Sequence, residues 1–247
     1  MKPRDIWKVF QKNGGARCDR FGASRQAGVR TDLSVCCLAR CGWGVTRSKL
    51  GDGVNSHVYS LMDVGNLQPG QTVLVQGTGG ISIFAAQIAL AHGARVIATP
   101  SSDRNLDRVK ALGVSDGINY RTHPEWEKKV LELTGGKGAD ITIEVAGGNG
   151  LNQSVLVTKA AGIIAQVGFL TGQTTALPLM PLIFRQTTIR GIAVAPRSAC
   201  DRMNPFFDKH NIKPFIDTVY PFDQAVQAYE QVSRGPFGKI VIKIAEK

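Results

Sequence analysis

The hydrophobic and polar positions change character along the chain. Residues 1–55 hold neither a helical nor a strand period; Arg, Gly, Cys and Ser are scattered, as in Arg20-Phe21-Gly22-Ala23-Ser24-Arg25. A stretch without an apolar stripe has little to bury, so an irregular head is expected, ordered only in short pieces. From His57 the texture changes, and Asn66-Leu67-Gln68-Pro69-Gly70 reads as a turn leading into a strand. Thr72-Val73-Leu74-Val75-Gln76 is a β-branched run suited to a buried parallel strand. Residues 81–91 are Ala-rich with apolar side chains nearly all round, which predicts a buried helix.

The alternation then continues. Arg95-Val96-Ile97-Ala98 predicts a second strand, and residues 103–112 a charged amphipathic helix closed by Gly113. A short strand at Gly117-Ile118-Asn119-Tyr120 precedes a helix over 125–133 and the strand Ile141-Thr142-Ile143-Glu144-Val145. A helix near 151–159 leads to a strand over 162–167, and Thr188-Ile189-Arg190-Gly191-Ile192-Ala193-Val194 supplies the sixth. Strands and helices alternating at these lengths predict an α/β fold, a doubly wound parallel sheet with right-handed crossovers. The tail differs. Residues 222–232 form an amphipathic helix with Ala225, Ala228, Tyr229 and Val232 on one stripe, and residues 238–244 alternate at period two, as a strand with one solvated face does. That strand need not join the parallel sheet. Three units are expected: a head over 1–56, a dinucleotide-binding unit over 57–217 and a helix–strand extension over 218–247.

Composition narrows the class. A hydrophobic share of 43% in 247 residues is too high for a disordered chain. No apolar run reaches the roughly 18 residues of a membrane helix, and Met1-Lys2-Pro3-Arg4-Asp5 is not followed by an apolar signal region. A cytoplasmic protein away from membranes is expected. The net charge of +11 is unevenly placed: residues 1–60 hold 11 Lys/Arg against 4 Asp/Glu, a net +7, leaving +4 for the body. The basic balance thus belongs to the head. Few aromatics and the lack of a recognised motif argue against nucleic-acid binding there. Cys18, Cys36, Cys37 and Cys41 share the head and Cys200 stands alone; five cysteines without a C-x-x-C pair point to neither a disulfide framework nor a zinc site.

The sharpest local signal is Gln76-Gly77-Thr78-Gly79-Gly80-Ile81-Ser82, between the first strand and the Ala-rich helix. Gly77 permits a tight turn, Gly79 lets the backbone approach a pyrophosphate, and the helix N-terminus behind them offers unpaired N–H groups to that anion. Ser82 replaces the last glycine of the usual fingerprint and is small enough for close helix packing. The strand–turn–helix context makes this a nucleotide-binding motif and the sheet a Rossmann fold. The second strand ends in Thr99-Pro100-Ser101-Ser102-Asp103-Arg104, without the carboxylate that an NAD site usually places there. Ser101, Ser102 and Arg104 are suited to a 2′-phosphate, which favours NADPH over NADH. The plainer alternative makes Ser102 a helix N-cap, leaves Arg104 in solvent and puts Asp103 in the first turn against the helix dipole.

These motifs, with Gly93-Ala94-Arg95-Val96-Ile97-Ala98-Thr99, Ala111-Leu112-Gly113, Leu133-Thr134-Gly135-Gly136-Lys137-Gly138-Ala139-Asp140 and Phe237-Gly238-Lys239-Ile240-Val241-Ile242, resemble the medium-chain dehydrogenase/reductase superfamily. The likeness is greatest to quinone oxidoreductase-like and zinc-type alcohol dehydrogenase-like members, and runs from about residue 57 to the end. It implies that Gly77, Thr78, Gly79, Gly80, Ile81 and Ser82 contact the pyrophosphate and that Ser101 and Ser102 lie near the adenosine phosphate. Tyr120 would pack by the adenine ribose. Ala146, in the loop Val145-Ala146-Gly147, and Val167, Gly168 and Phe169 would approach the nicotinamide. The lysine common near the adenosine phosphate falls on Asn105, so Arg104 would have to replace it. Glu144 is expected to pair with a basic neighbour, and His92, His123 and His210 to stand in solvent, so no catalytic acid or base is assigned.

The resemblance implies hydride transfer between a nicotinamide and a small-molecule substrate: a quinone, a carbonyl or alcohol, or an activated alkene. It also implies a homodimer through the strand from Thr188 to Val194. Relatives carry a large GroES-like domain before this point, whereas only the short basic head precedes it here. A truncated product is therefore expected, either a reductase or a nucleotide-binding module without turnover, with no zinc. The tail's apolar face would then be exposed or covered by the head.

Overall fold

The computed structural model describes residues 35–38, 56 and 58–243. Most of the head read over 1–56, with Cys18 and Cys41, and residues 244–247 lie outside the described residues. A six-stranded, all-parallel sheet is built from β2 (Thr72–Gln76), β3 (Arg95–Thr99), β4 (Asp116–Gly117), β5 (Ala139–Glu144), β6 (Thr158–Gln166) and β7 (Thr188–Gly191), in the order β4-β3-β2-β5-β6-β7. This is the doubly wound α/β arrangement read from the alternating segments, and its order reverses between β2 and β5.

Both faces of the sheet are covered, and β2 shows why its sequence is continuously apolar. Val73 and Val75 point into a core with α1 (Gly80–Ala91) and α2 (Asp103–Ala111), while Leu74 faces Trp126 and Val130 of α3 (Trp126–Leu133) and Val157 of α4 (Gly148–Val157). A strand buried on both faces needs apolar residues at successive positions. The same logic accounts for α1. Its Ile83, Phe84, Ala85, Ile88 and Ala89 are all buried, because the helix lies between the sheet and α6 (Arg197–His210), whose Phe207 ring stacks on Phe84 with centroids 6.2 Å apart. By contrast α2 buries only Val109 and keeps Asp103, Arg104, Asp107 and Lys110 outward.

Several boundaries differ from the sequence reading. β4 ends at Gly117 and does not reach Tyr120: Ile118 and Tyr120 still donate to the carbonyls of Ala98 and Pro100 (2.9 and 3.0 Å), but the Asn119 side chain then turns the chain by accepting from the Arg121 N–H. α4 starts at Gly148 and stops at Val157, and β6 begins at Thr158, where the hydroxyls of Thr142 and Thr158 lie 2.8 Å apart. β7 ends at Gly191, three residues early, as the chain leaves for Pro196 and α6. The sequence reading left α6 and β8 (Ile216–Pro221) unassigned. Pro205 lies inside α6 and breaks its helical signature, and β8 alternates poorly because it sits at an edge.

A second, three-stranded parallel sheet has the order β1-β9-β8, with β1 (Val35–Leu38) from the head and β9 (Lys239–Lys243) near the C-terminus. The expected period-two exposure of β9 is not found. Lys239, Ile240, Val241 and Ile242 are all buried, because β9 is central in its sheet and α7 (Ala225–Ser233) packs Ala225, Ala228 and Val232 onto Ile240 and Ile242. The head thus supplies a strand to the tail. Arg108 of α2 ties this sheet to the larger one: it pairs with Asp217 at 2.7 Å and lies 4.0 Å from the Phe237 ring centroid. Among the described residues no helix is long and apolar enough to cross a membrane.

Phe84 is the keystone of the α1–α6 contact. Phe84→Ala should cost about 3–5 kcal/mol of stability, measured as a lowered midpoint in urea unfolding with an unchanged slope.

Candidate functional site

Parallel strands put the loops after β2, β3, β5 and β6 at one edge of the sheet, and the reversal of order between β2 and β5 opens a crevice there. The residues expected to bind a nucleotide all fall on these loops or beside them. The structure therefore brings together Gly77 to Ser82, Ser101, Ser102, Arg104, Tyr120, Ala146, Val167, Gly168 and Phe169 along one rim.

The loop after β2 is shaped for an anion. Gly77 has φ +68°, a conformation that side chains with a Cβ rarely take, and its N–H donates to the Thr99 carbonyl at 2.9 Å. A Cβ placed on Gly79 would meet nothing within 4 Å, so this glycine leaves space for a ligand and fills no packing need of the protein itself. The first helical bond of α1 runs from Ile83 to the Gly79 carbonyl, so the N–H groups of Gly80, Ile81 and Ser82 lie ahead of the helical ladder. The Ser82 hydroxyl donates to the Gln76 carbonyl and locks the turn.

One residue of this cradle was not assigned from the sequence. Lys239, only 5% exposed, crosses the start of α1, and its Nζ lies 2.8 Å from where a Cβ on Gly80 would stand. It is delivered by β9, whose preceding residue Gly238 donates its N–H to the Thr78 carbonyl at 2.9 Å. The pair Gly238-Lys239 was visible in the sequence, but its partner lies some 160 positions earlier, and nothing local joins the two. The outer part of the Lys239 side chain occupies the space that a Cβ on Gly80 would fill.

At the end of β3, Ser102 Oγ accepts the Asn105 N–H at 3.3 Å and caps α2, in agreement with the plainer alternative for that residue. The hydroxyl proton stays free for a second partner. Arg104 is exposed and makes no ion pair among the described residues. The Asp103 carboxylate accepts from Asn119 Nδ2 at 2.9 Å, and Tyr120, 39% exposed, is tied to the same corner through the Pro100 carbonyl. Asn105, standing where the resemblance expects lysine, donates to Thr78 Oγ1 at 3.0 Å and so braces the glycine loop.

The other two loops are zipped to each other. Leu170 and Thr171 donate backbone N–H groups to the carbonyls of Val145 and Ala146 (3.2 and 2.7 Å), and the Thr171 hydroxyl reaches the Gly147 carbonyl at 3.1 Å. Phe169 and Leu170 are left largely exposed at the rim. Two expectations need correction. Glu144 pairs with no basic side chain among the described residues; its bonds go to Gln76, Ser154 and the N–H groups of Ala146 and Gly147. His92 and His210 are half-buried around the Phe206 ring, by the C-terminal end of α1 and away from the glycine loop, while His123 is exposed. Among the described residues no group of three or more His, Cys, Asp or Glu side chains is placed to hold a metal ion.

The family model described as zinc-binding dehydrogenase matches residues 80–209. A zinc-type alcohol dehydrogenase-like protein of Schizosaccharomyces pombe is 42% identical over 183 residues, covering 72% of this chain and 53% of the relative. A quinone oxidoreductase of Rattus norvegicus is 28% identical over 183 residues, covering 70% of this chain and 54% of the relative. The crystal structure of an NAD-dependent alcohol dehydrogenase superposes with a TM-score of 0.70 at 33% identity, covering 78% of this chain and 57% of that one. The chain spans about half the length of the curated relatives it matches.

Contact between the two zipped loops is close enough to test directly. A Cβ on Gly168 would stand 2.7 Å from the Val145 carbonyl oxygen, a backbone atom with little freedom to move. Gly168→Ala should destabilise the protein by about 1–3 kcal/mol, read as a lower thermal midpoint.

Proposed function

Because the chain belongs to the zinc-binding dehydrogenase family, within the medium-chain dehydrogenase/reductase superfamily, we propose that it is a cytoplasmic, NADPH-dependent oxidoreductase. Its small-molecule substrate is a quinone, a carbonyl or alcohol, or an activated alkene. The observation that carries this reading is the open glycine cradle of residues 77–82, backed by a helix N-terminus and by the ammonium of Lys239. Glycine backbone, helix dipole and a buried cation together make a site for a pyrophosphate.

The bound nicotinamide supplies or accepts the hydride; the protein's share is binding, orientation and exclusion of water. The N–H groups of Gly80, Ile81 and Ser82 meet the pyrophosphate, and Lys239 neutralises it from the β9 side. The hydroxyls of Ser101 and Ser102 and the guanidinium of Arg104 receive the 2′-phosphate, and Tyr120 covers the adenosine. The backbone of Ala146, Val167 and Gly168 faces the nicotinamide, with Phe169 at the mouth of the crevice. The scheme invokes no zinc, because a hydride can pass directly between the nicotinamide and a quinone.

Titration of the purified chain with NADPH and NADH, followed by addition of a quinone, tests the reading. NADPH should bind about tenfold more tightly than NADH, and quinone should oxidise it. Arg104→Ala should weaken NADPH about fivefold and leave NADH unchanged, whereas Lys239→Ala should weaken both about tenfold, the range for losing a hydrogen bond to a charged group. Binding without turnover would mark a nucleotide-binding module, and tighter NADH would reverse the cofactor assignment.

A homodimer through β7 is part of the same reading. β7 is an open edge of the larger sheet, and beside it α5 (Leu179–Arg185) exposes Leu179, Met180, Ile183 and Phe184. An unpaired edge next to an apolar face suits a second copy of the chain. Light scattering should give a dimer mass for the native chain and a monomer mass for Phe184→Glu.

A further inference from the structure

Glu144 is fully buried, and its carboxylate is held by four donors and no counter-ion among the described residues. Oε1 accepts the N–H groups of Ala146 and Gly147 at 2.8 and 2.9 Å. Oε2 accepts Gln76 Nε2 at 2.6 Å and the Ser154 hydroxyl. Gln76 is the last residue of β2, and Glu144 the last of β5; they follow Val75 and Ile143, the final paired residues of the two strands. Gln76 Oε1 in turn accepts the N–H groups of Val145 and Ala146 at 3.1 and 3.2 Å. Every backbone N–H from 145 to 147 is therefore bound by one of these two side chains, and the carbonyls of the same residues are bound by the loop of Leu170 and Thr171.

A buried carboxylate is a costly way to hold two strands together, and an apolar pair of similar volume does so at less expense. Its advantage is directional. It converges on backbone groups at the start of α4, where the helix dipole favours a negative charge. Gly147, at φ +65°, has no room for a Cβ, which would lie 2.6 Å from the Gly172 carbonyl oxygen, so the turn is held in a conformation only glycine permits. On its other flank, Gln76 leads directly into Gly77, and its carbonyl takes the Ser82 hydroxyl. One network thus reaches both the pyrophosphate loop and the loop that faces the nicotinamide.

We infer that Glu144 is a positioning residue: with Gln76 and Ser154 it fixes the backbone of Val145, Ala146 and Gly147 relative to the glycine loop, so that the two ends of one dinucleotide are met at a set spacing. It touches no ligand itself, and the inference rests on the nucleotide reading given above. Glu144→Gln keeps the shape but aims its NH2 group either at the N–H groups of Ala146 and Gly147 or at Gln76 Nε2, where only the Ser154 hydroxyl can turn to accept it.

Calorimetric titration with NADPH and with 2′,5′-ADP, which has the adenosine phosphates and no nicotinamide, separates positioning from general support. Glu144→Gln should weaken NADPH about tenfold and Ser154→Ala about threefold, while 2′,5′-ADP changes less than twofold in both. The amides of Ala146 and Gly147 should also exchange faster with solvent. Equal weakening of both ligands, or of neither, overturns the inference. Should Glu144→Gln fail to fold, Ser154→Ala carries the same comparison. A native chain that binds neither ligand sinks the nucleotide reading together with this inference. One that binds NADPH no more tightly than 2′,5′-ADP sinks the inference alone.

Discussion

The reversal of strand order between β2 and β5 is the constraint from which the site follows. All six strands of the larger sheet run the same way, so their C-terminal loops collect along one edge. At the adjoining β3–β2 and β5–β6 junctions the two following helices leave to the same face of the sheet. Between β2 and β5 the chain departs to opposite sides, and no crossover covers the gap. The crevice is a consequence of topology before any side chain is chosen. What side chains add is its lining: glycines where the backbone must stay bare, and a buried polar network beneath the floor.

Much of this was legible in the sequence, and the reason differs from place to place. β2, β3 and β5 could be read because strands buried on both faces are continuous β-branched runs, and α1 because a helix enclosed on all sides is apolar all round. The glycine loop could be read because its chemistry is local. The second sheet was much less so. β9 shows alternation in its sequence, yet its burial is set by β1 and β8 on either side and by α7 above, none of them close by in the chain except α7. α6 was hidden by Pro205, and β8 by its place at an edge.

The site divides along the same line. Residues 77–82 and 101–104 can be singled out from their own neighbourhood in the sequence. Lys239 and the Gln76–Glu144 contact depend on pairs 159 and 68 positions apart, and no local pattern announces them. Glu144 illustrates the point. As a sequence it is a charged residue at a strand end, most simply matched with a cation; in the fold its partners are amides and a hydroxyl, because the end of a parallel strand beside a helix start is already rich in unpaired N–H groups.

The bond from Gly238 to Thr78 ties the earliest strand–turn–helix unit of the sheet to one of the last segments of the chain. Long-range contacts of this kind form late, since a large loop must close before they contribute. During synthesis the strands from β2 to β7 can assemble while β9 is still to come, and the glycine loop then exists without its lysine. The proposed nucleotide cradle therefore acquires its full charge only when the C-terminal strand docks, and a chain in which β9 has yet to dock would hold a nucleotide more weakly.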